Sequence, residues 1–174
     1  MSKSLVIVES PAKAKTINKY LGKNFIVEAT VGHIRNLPKS TLGIDIKNNF
    51  EPKYVTIRGK GDVIKKIKDM AGKCSRVFIA TDPDREGEAI AQDIAEVING
   101  QKTGDIKRVL FTEITKSGVK RGMDEPRSID THLVSSQRAR RIMDRIIGYK
   151  ISPFLGKLLL KRVGILFLPA EFSL

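Results

Sequence analysis

The chain has 174 residues, of which 41% are hydrophobic, and it carries a formal net charge of +13. This length fits one domain, or one domain and the start of another. No apolar run reaches the ~18 residues of a membrane span, and Leu5–Val8 is too short for a signal peptide, so we expect a cytoplasmic protein without membrane contact. The single cysteine excludes an internal disulfide. The positive charge indicates a polyanionic partner, with nucleic acid as the first expectation and a merely basic protein as the alternative.

The amino-terminal stretch predicts a buried strand followed directly by a helix. The strand, Leu5–Val8, ends at an acid, Glu9. The helix is expected to begin at Pro11, after a capping serine, and to end before Gly22. Lys13 lies in its first turn, where the helix dipole disfavours a cation. Lys13 could therefore reach back towards the strand end and bind a phosphate; the alternative is a solvated surface lysine.

The following region predicts a strand, a loop and a long connection. Alternating side chains indicate a strand at Phe25–Ala29. His33, in the next loop, has no paired cysteine or histidine nearby, so a phosphate or DNA contact is a better interpretation than zinc. Residues 39–61 predict a long connection containing a short strand at Tyr54–Ile57, and a helix is predicted over Asp62–Met70.

An acid-rich stretch follows the next predicted strand, Val77–Ala80, and precedes an apolar helical face. The carboxyl end of a strand is the usual position of a site in an open α/β sheet, and Glu9 is expected at the same edge. Clustered acids repel one another unless a cation lies among them, which indicates a Mg²⁺ site. The same residues also suit a turn and the capped first turn of a helix, and this stretch alone leaves both interpretations open. The four acids, within seven residues, are Asp82, Asp84, Glu86 and Glu88.

The last predicted strand is Arg108–Phe111, and a helix is expected from Lys116. Strands that alternate with helices imply a parallel, layered α/β sheet. From Asp130 the pattern is helical, and residues 138–162 contain eight Lys or Arg residues and one acid, Asp144. A basic helix of this kind can lie along a phosphate backbone, and the alternative is a solvated charged face.

Several motifs resemble the amino-terminal part of bacterial DNA topoisomerase I, of the type IA family. They are LVIVESPAKAKT from residue 5, VGHI from residue 31, TDPDREGEAIA from residue 81, FTEIT from residue 111 and QRARRIMDR from residue 137. The resemblance implies the TOPRIM fold, a Rossmann-like parallel α/β sheet with helices on both faces, followed by a basic helical segment. It also implies a TOPRIM domain at 1–128, the start of a helical DNA-binding domain at 129–156 and a divergent tail at 157–174.

The resemblance further implies the roles of individual residues. Glu9 matches the acid that serves both the metal and the leaving oxygen, Lys13 a lysine near the scissile phosphate, and Arg108 a basic residue near the same centre. The implied cofactor is Mg²⁺, and the implied partner is single-stranded or negatively supercoiled DNA. The metal acids correspond to Glu9, Asp82, Asp84 and Glu86, and the positions that approach DNA correspond to His33, Arg140, Arg141, Asp144 and Tyr149.

The implied reaction is relaxation of negatively supercoiled DNA, in which a tyrosine cleaves one strand, another strand passes and the break is resealed. The nucleophilic tyrosine of the family lies in a later domain, and Tyr20, Tyr54 and Tyr149 lie in the wrong context to replace it. We therefore interpret the chain as a metal- and DNA-binding fragment, located with the nucleoid, that needs the downstream domains for strand passage. The alternatives are a stand-alone TOPRIM-type metal-dependent nuclease and a non-catalytic nucleic-acid-binding module.

The sequence departs from the family pattern after Leu155. The family continues with a tryptophan, a basic stretch and a Gly-Arg-Val-Gln-Ser motif, whereas this chain has Gly156 and ends in LLLKRVGILFLPAEFSL. A frameshifted or prematurely ended gene would produce such a tail, which we expect to be unordered or prone to aggregation.

Overall fold

A computed structural model describes residues 3–99 and 105–163 of the chain, with side chains up to residue 158. Strands and helices alternate through most of it, and helices alone make up the final part. In chain order the elements are β1 (Ser4–Val8), α1 (Pro11–Leu21), β2 (Phe25–Ala29), β3 (Arg35–Asn36), β4 (Ile44–Asp45), β5 (Glu51–Pro52), β6 (Val55–Thr56), α2 (Gly61–Ala71), β7 (Arg76–Ile79), α3 (Arg85–Ile98), β8 (Asp105–Arg108), α4 (Lys116–Asp124), α5 (Thr131–Ile146), a π-helical turn (Ile147–Ile151) and α6 (Ser152–Val163).

The central sheet in the described part of the chain has four parallel strands in the order β2-β1-β7-β8. Side chains alternate across it, as they must in a strand. Leu5 and Ile7 of β1 lie in a core under α2 and α3, with Ile67 and Ile94. Val6 and Val8 lie in a second core under α1 and α4, which includes Ile17 and Val119. The sheet therefore has helices on both faces, as predicted.

Local sequence accounts for where the main helices begin and end. Ser10 precedes α1 as predicted, but its side chain makes no capping hydrogen bond, so that part of the prediction is wrong. Pro11 occupies the first turn of α1, and Gly22 ends that helix with a backbone φ of 77°. Three later helices begin at a residue whose side-chain oxygen accepts a hydrogen bond from the backbone of the first turn. These capping residues are Asp84 for α3, Thr115 for α4 and Asp130 for α5.

The register of β1 against β7 positions the acids. Ile7 pairs with Ile79, and the backbone N–H of Ala80 donates to the carbonyl of Ile7 at 2.7 Å. Because the two strands are parallel neighbours and end together, Glu9 and the loop that begins at Thr81 emerge side by side at the carboxyl edge of the sheet.

The connection between β2 and α2 contains two small antiparallel ladders, which pair β3 with β6 and β4 with β5. The predicted strand at Tyr54–Ile57 is present as β6, shortened to two residues. The backbone N–H of Ile57, just after β6, donates to the carbonyl of Ile34 at 3.1 Å, which ties the loop that carries His33 to the ladder of β3 and β6.

The position predicted for the last strand is wrong. The sequence favours Arg108–Phe111, whereas β8 spans Asp105–Arg108. The backbone N–H of Val109 still donates to the carbonyl of Ile79 at 2.9 Å, but Val109 and Phe111 lie beyond the end of β8 in the core under α1 and α4, so their burial extended the strand signal past the strand. Part of the loop predicted before this strand lies outside the described residues.

A helical segment follows the sheet, as predicted. Helix α5 packs against α3 and continues through the π-helical turn into α6. The segment expected to be unordered is helical to Val163, and residues 164–174 lie outside the described part. No helix of the described residues is both long and apolar enough to cross a membrane. Large apolar side chains are exposed along this segment: Met143, Ile147, Ile151, Phe154, Leu155 and Leu158.

Candidate functional site

A lysine bridges two acids at the carboxyl edge of the sheet. Glu9 follows β1, Asp82 follows β7, and Lys13 rises between them from the first turn of α1. The Lys13 Nζ donates to Glu9 Oε1 at 2.6 Å and also to Asp82 Oδ1. Lys13 and Glu9 are partly buried, whereas the side chain of Asp82 is 49% exposed. The structure thus brings three of the predicted site residues into one open group, called the edge cluster below.

The pKa values of the two acids in the edge cluster shift in opposite directions. Burial and the hydrogen bond with Asp82 raise the pKa of Glu9, against the lowering effect of Lys13. The hydrogen bond with Glu9, and then Lys13, lower the pKa of Asp82. The pKa values of the two carboxyls are therefore moved apart, with Glu9 the weaker acid of the two. Burial opposes the charge of Lys13, but its bonds to Asp82 and Glu9 outweigh burial and raise its pKa.

The loop after β7 is tight and is bonded to the helix it precedes. Asp84 Oδ1 accepts a hydrogen bond from the backbone N–H of Gly87 at 2.7 Å, and Thr81 Oγ1 donates to the Gly87 carbonyl at 2.7 Å. A Cβ at position 87 would lie 2.0 Å from the Asp82 carbonyl oxygen, so only glycine fits there. Asp84 is thus a helix cap, as one of the two sequence interpretations holds, and its side chain remains exposed.

A buried ion pair lies directly beneath this loop. Arg108 and Glu88 are both fully buried, and Arg108 Nε donates to Glu88 Oε1 at 2.9 Å. The same guanidinium donates to the carbonyl of Asp82 at 2.8 Å and to the carbonyls of Ile79 and Val109. The resemblance puts Arg108 near the reacting phosphate, whereas the structure places it under the edge cluster, where it holds the backbone of Asp82.

Glu88, the acid of this pair, has two further hydrogen-bond partners. Glu88 also accepts a hydrogen bond from Arg127 at 2.9 Å and one from the backbone N–H of Asp130 at 3.1 Å. Burial lowers the pKa of Arg108, and Glu88 acts in the opposite direction. The buried pair therefore connects the acid loop to the start of α5.

Glu86 faces away from the edge cluster and joins a group that includes two predicted DNA-binding residues. Its Oε2 lies 3.1 Å from His33 Nε2, 3.1 Å from Gln137 Nε2 and 3.8 Å from an Arg141 nitrogen. Burial, and then the charge of Arg141, lower the pKa of His33, although Glu86 acts in the opposite direction. The imidazole is therefore neutral near pH 7.

The remaining predicted DNA-binding residues lie further out. Arg140 and Asp144 are exposed on α5 and lie 3.8 Å apart as an i, i+4 pair. The hydroxyl of Tyr149 donates to the carbonyl of Lys39, and the Arg145 guanidinium lies 4.7 Å from the centre of the Tyr149 ring. These contacts place the basic side of α5 next to the loop after β3.

The carboxylate oxygens at this edge are ligands that suit a hard cation such as Mg²⁺. Among the described residues, no group of three or more His, Cys, Asp or Glu side chains is arranged to hold a metal ion. Lys13 lies between Glu9 and Asp82, and Glu86 is bonded to His33. The oxygens of these acids suit a cation, but each acid has another partner in this arrangement: Lys13 for Glu9 and Asp82, the Gly87 N–H for Asp84, and His33 for Glu86.

Two residues that the sequence did not single out complete the site. Glu88 was counted among the four acids predicted to form either a metal site or the first turn of a helix, yet it is the fully buried partner of Arg108; its position within the apolar face of α3 is the signal that could have revealed this. Gln137 is 2% exposed and binds Glu86, although its Oε1 has no hydrogen-bond partner among the described residues. For Gln137 the sequence offers only a weak signal, because an uncharged polar residue within a basic helix does not by itself indicate burial.

Comparison with known proteins supports the resemblance. The Toprim domain family matches residues 4–114. Full-length topoisomerase I from Thermotoga maritima is 49% identical in sequence and superposes with a TM-score of 0.79 over 87% of this chain. The match covers 26% of that chain, so the present chain spans a minor part of its length. The predicted α/β fold and the resemblance to a bacterial topoisomerase I are confirmed.

Proposed function

Because the chain belongs to the Toprim family, we propose that it is the metal- and DNA-binding part of a type IA DNA topoisomerase. The activity would be the relaxation of negatively supercoiled DNA by transient cleavage of one strand. The observation that carries this proposal is the edge cluster, in which an acid with a raised pKa and an ammonium group lie together in a chain 49% identical to topoisomerase I from Thermotoga maritima.

In this proposal the chain and the downstream topoisomerase domains contribute different parts of the activity. Residues 1–128 would form the TOPRIM domain, 129–156 the start of the helical DNA-binding domain and 157–174 a divergent tail. The nucleophilic tyrosine would come from downstream domains, since the chain covers 26% of the similar topoisomerase. In a cell, such a protein would act on the nucleoid in the cytoplasm.

The edge cluster has the groups that phosphodiester cleavage and resealing require. Glu9, whose pKa is raised by burial and by Asp82, would give its proton to the 3′ oxygen as that oxygen leaves phosphorus, and would take it back on resealing. The Lys13 ammonium would lie against a non-bridging phosphate oxygen and stabilise the charge that develops there. Arg108 would act from beneath by holding the Asp82 backbone.

We propose Mg²⁺ as the cofactor, since Toprim domains typically bind a divalent metal. The exposed carboxylates of Asp82 and Asp84 would hold it, with Glu9 and Glu86 as the further candidates. When bound, the ion would neutralise phosphate charge during cleavage and resealing. Lys13 occupies the position between Glu9 and Asp82 and would have to release one of them if both acids bound the metal.

DNA would reach the edge cluster along α5. His33 and Arg141 are joined through Glu86 close to the acid loop, and Arg140, Asp144 and Tyr149 extend the surface outwards. The formal net charge of +13 favours binding to phosphate and predicts a strong dependence on salt.

The experiment that tests this function is the relaxation of negatively supercoiled plasmid with Mg²⁺. The samples are the chain alone, the chain mixed with the downstream topoisomerase domains, and the same mixture with Glu9→Ala or, as a control at an exposed acid, Glu51→Ala. We expect relaxation in the mixture, its loss with Glu9→Ala and its retention with Glu51→Ala. Metal-dependent nicking by the chain alone, without a covalent protein–DNA adduct, would establish the nuclease alternative. DNA binding that survives loss of the acids, without cleavage in any sample, would establish a binding module.

A further inference from the structure

The turn that connects β2 to His33 has an unfavourable backbone conformation. Val31 has a φ of 58° and Gly32 a φ of 82°. Glycine adopts this left-handed region freely, but for a β-branched residue it is a marked outlier. The Val31 side chain is 55% exposed, so core packing does not hold it in this conformation. Such a conformation persists only where the surrounding structure enforces it.

One lysine from a distant segment provides this enforcement. Lys60 lies immediately before α2, and its Nζ donates to the carbonyl of Thr30 at 3.1 Å and to that of Val31 at 2.5 Å. Both carbonyls belong to the turn, so the ammonium binds the two peptide groups on either side of the Val31 backbone. Hydrogen bonds from a charged donor are roughly twice as strong as neutral ones.

The Thr30–Gly32 turn also positions two parts of the site. The backbone N–H of Gly32 donates to the carbonyl of Glu9 at 2.9 Å, which ties the turn to the strand end that carries the general acid. The next residue is His33, whose ring contacts Glu86 and Arg141. Relaxation of the turn would therefore move the Glu9 backbone and the imidazole together.

We propose that Lys60 is a positioning residue that holds the Thr30–Gly32 turn in its left-handed conformation and thereby aligns Glu9 with His33. Lys60 acts on the protein backbone in this role and does not bind phosphate itself. The effect on DNA binding rests on the proposed function, whereas the effect on the turn does not.

The test is a double-mutant cycle between Lys60→Met and Val31→Gly. Lys60→Met removes the ammonium and keeps the length of the side chain, and Val31→Gly removes the cost of the positive φ. The first readout is hydrogen exchange of the Gly32 amide, which reports the bond to Glu9 without any DNA. We expect Lys60→Met to speed this exchange about tenfold, and Val31→Gly in the same chain to restore most of the protection.

The second readout is the affinity for a single-stranded oligonucleotide at fixed salt. We expect Lys60→Met to weaken binding about tenfold and the double variant to bind nearly as well as the unaltered chain. Lys53→Met, which removes the same charge from an exposed side chain of the same connection, controls for the loss of a general phosphate attraction.

Two results would overturn the proposal. If Lys60→Met leaves Gly32 exchange unchanged, the turn does not depend on this lysine. If the double variant binds DNA as weakly as Lys60→Met, the ammonium binds phosphate directly. If the unaltered chain binds no DNA while the exchange rates are coupled as expected, the proposed function fails and the positioning role is supported.

Discussion

Two groups of acids and cations lie at the carboxyl edge of the sheet, one above the other, and their environments are opposite. The edge cluster of Glu9, Lys13 and Asp82 is open to solvent. The pair of Glu88 and Arg108 beneath it is fully buried. Both groups join a strand end to a helix start, and both pair carboxylate with cation at short distance. Residue types alone do not distinguish them.

The difference shows how burial divides support from chemistry. Glu88 accepts three hydrogen bonds and Arg108 donates to four acceptors, so the buried pair is committed to holding backbone in place. The edge cluster keeps a half-exposed carboxylate on Asp82 and, on the partly exposed Glu9, a carboxyl whose pKa is raised. Loss of the buried pair should therefore cost stability, and loss of the edge cluster should cost function.

The largest expected effect is that of Glu88→Ala. This change leaves the Arg108 guanidinium buried without its counter-charge, which typically costs about 3–5 kcal/mol in the free energy of unfolding. Urea unfolding followed by circular dichroism measures it. Glu28→Ala, which removes an acid paired with the exposed Lys66, is the matched control and should cost less than about 1 kcal/mol. Equal losses in the two variants would contradict the contrast between buried and open pairs.

Asp93 on α3 is intermediate between the buried pair and the edge cluster. It is buried, with 4% exposed, but Arg138 lies 3.8 Å away, beyond hydrogen-bond distance. Burial raises its pKa from 3.8 to about 6, although Arg138 acts in the opposite direction. The folded chain therefore holds this proton more tightly than the unfolded chain. The resulting stability is fully present below pH 3.8 and is lost as the pH rises through about 6.

Asp93→Asn should consequently stabilise the chain at about pH 8, by up to about 3 kcal/mol, and change little at about pH 4. Asparagine keeps the shape of the protonated acid and cannot ionise. Urea unfolding at the two pH values measures the difference. A variant that is less stable than the unaltered chain at about pH 8 would show that the attraction of Arg138 outweighs the cost of burial.

In the edge cluster, Lys13→Met should change ionisation rather than folding. Since Lys13 lowers the pKa of both Glu9 and Asp82, its loss should raise both values, which carbon-detected NMR titration of the carboxyls can follow. The freed carboxylates should bind Mn²⁺, used as a probe for Mg²⁺, about tenfold more tightly. Unchanged or weaker Mn²⁺ binding would show that Lys13 does not compete with a cation.

The smallest effect on stability is expected for the exposed pair on α5. Arg140→Ala should change the free energy of unfolding by less than about 0.5 kcal/mol, because the pair with Asp144 is solvated. If Arg140 contacts phosphate, the slope of log affinity against log salt should become shallower by about one. An unaltered slope would remove Arg140 from the proposed DNA surface.

Much of the fold could be predicted from local sequence. The run Leu5–Val8 and the start of α1 at Pro11 depend only on neighbouring residues. Helix α1 is found with the bounds predicted. The strand after residue 104 was misplaced because the buried apolar run continues to Phe111, past the last residue of β8, Arg108. An apolar run records burial, and burial alone does not specify pairing.

The sequence by itself determined the alternation of strands and helices, the first and last residues of α1, the edge at which the acids emerge and the family to which the chain belongs. These features depend on neighbouring residues or on motifs, so they can be read along the chain. Only the tertiary structure decided which partner each acid meets: Arg108 for Glu88, His33 for Glu86, and Lys13 for Asp82. Each of these pairs joins separate segments, and burial, which distinguishes a supporting charge from a reactive one, exists only after those segments pack.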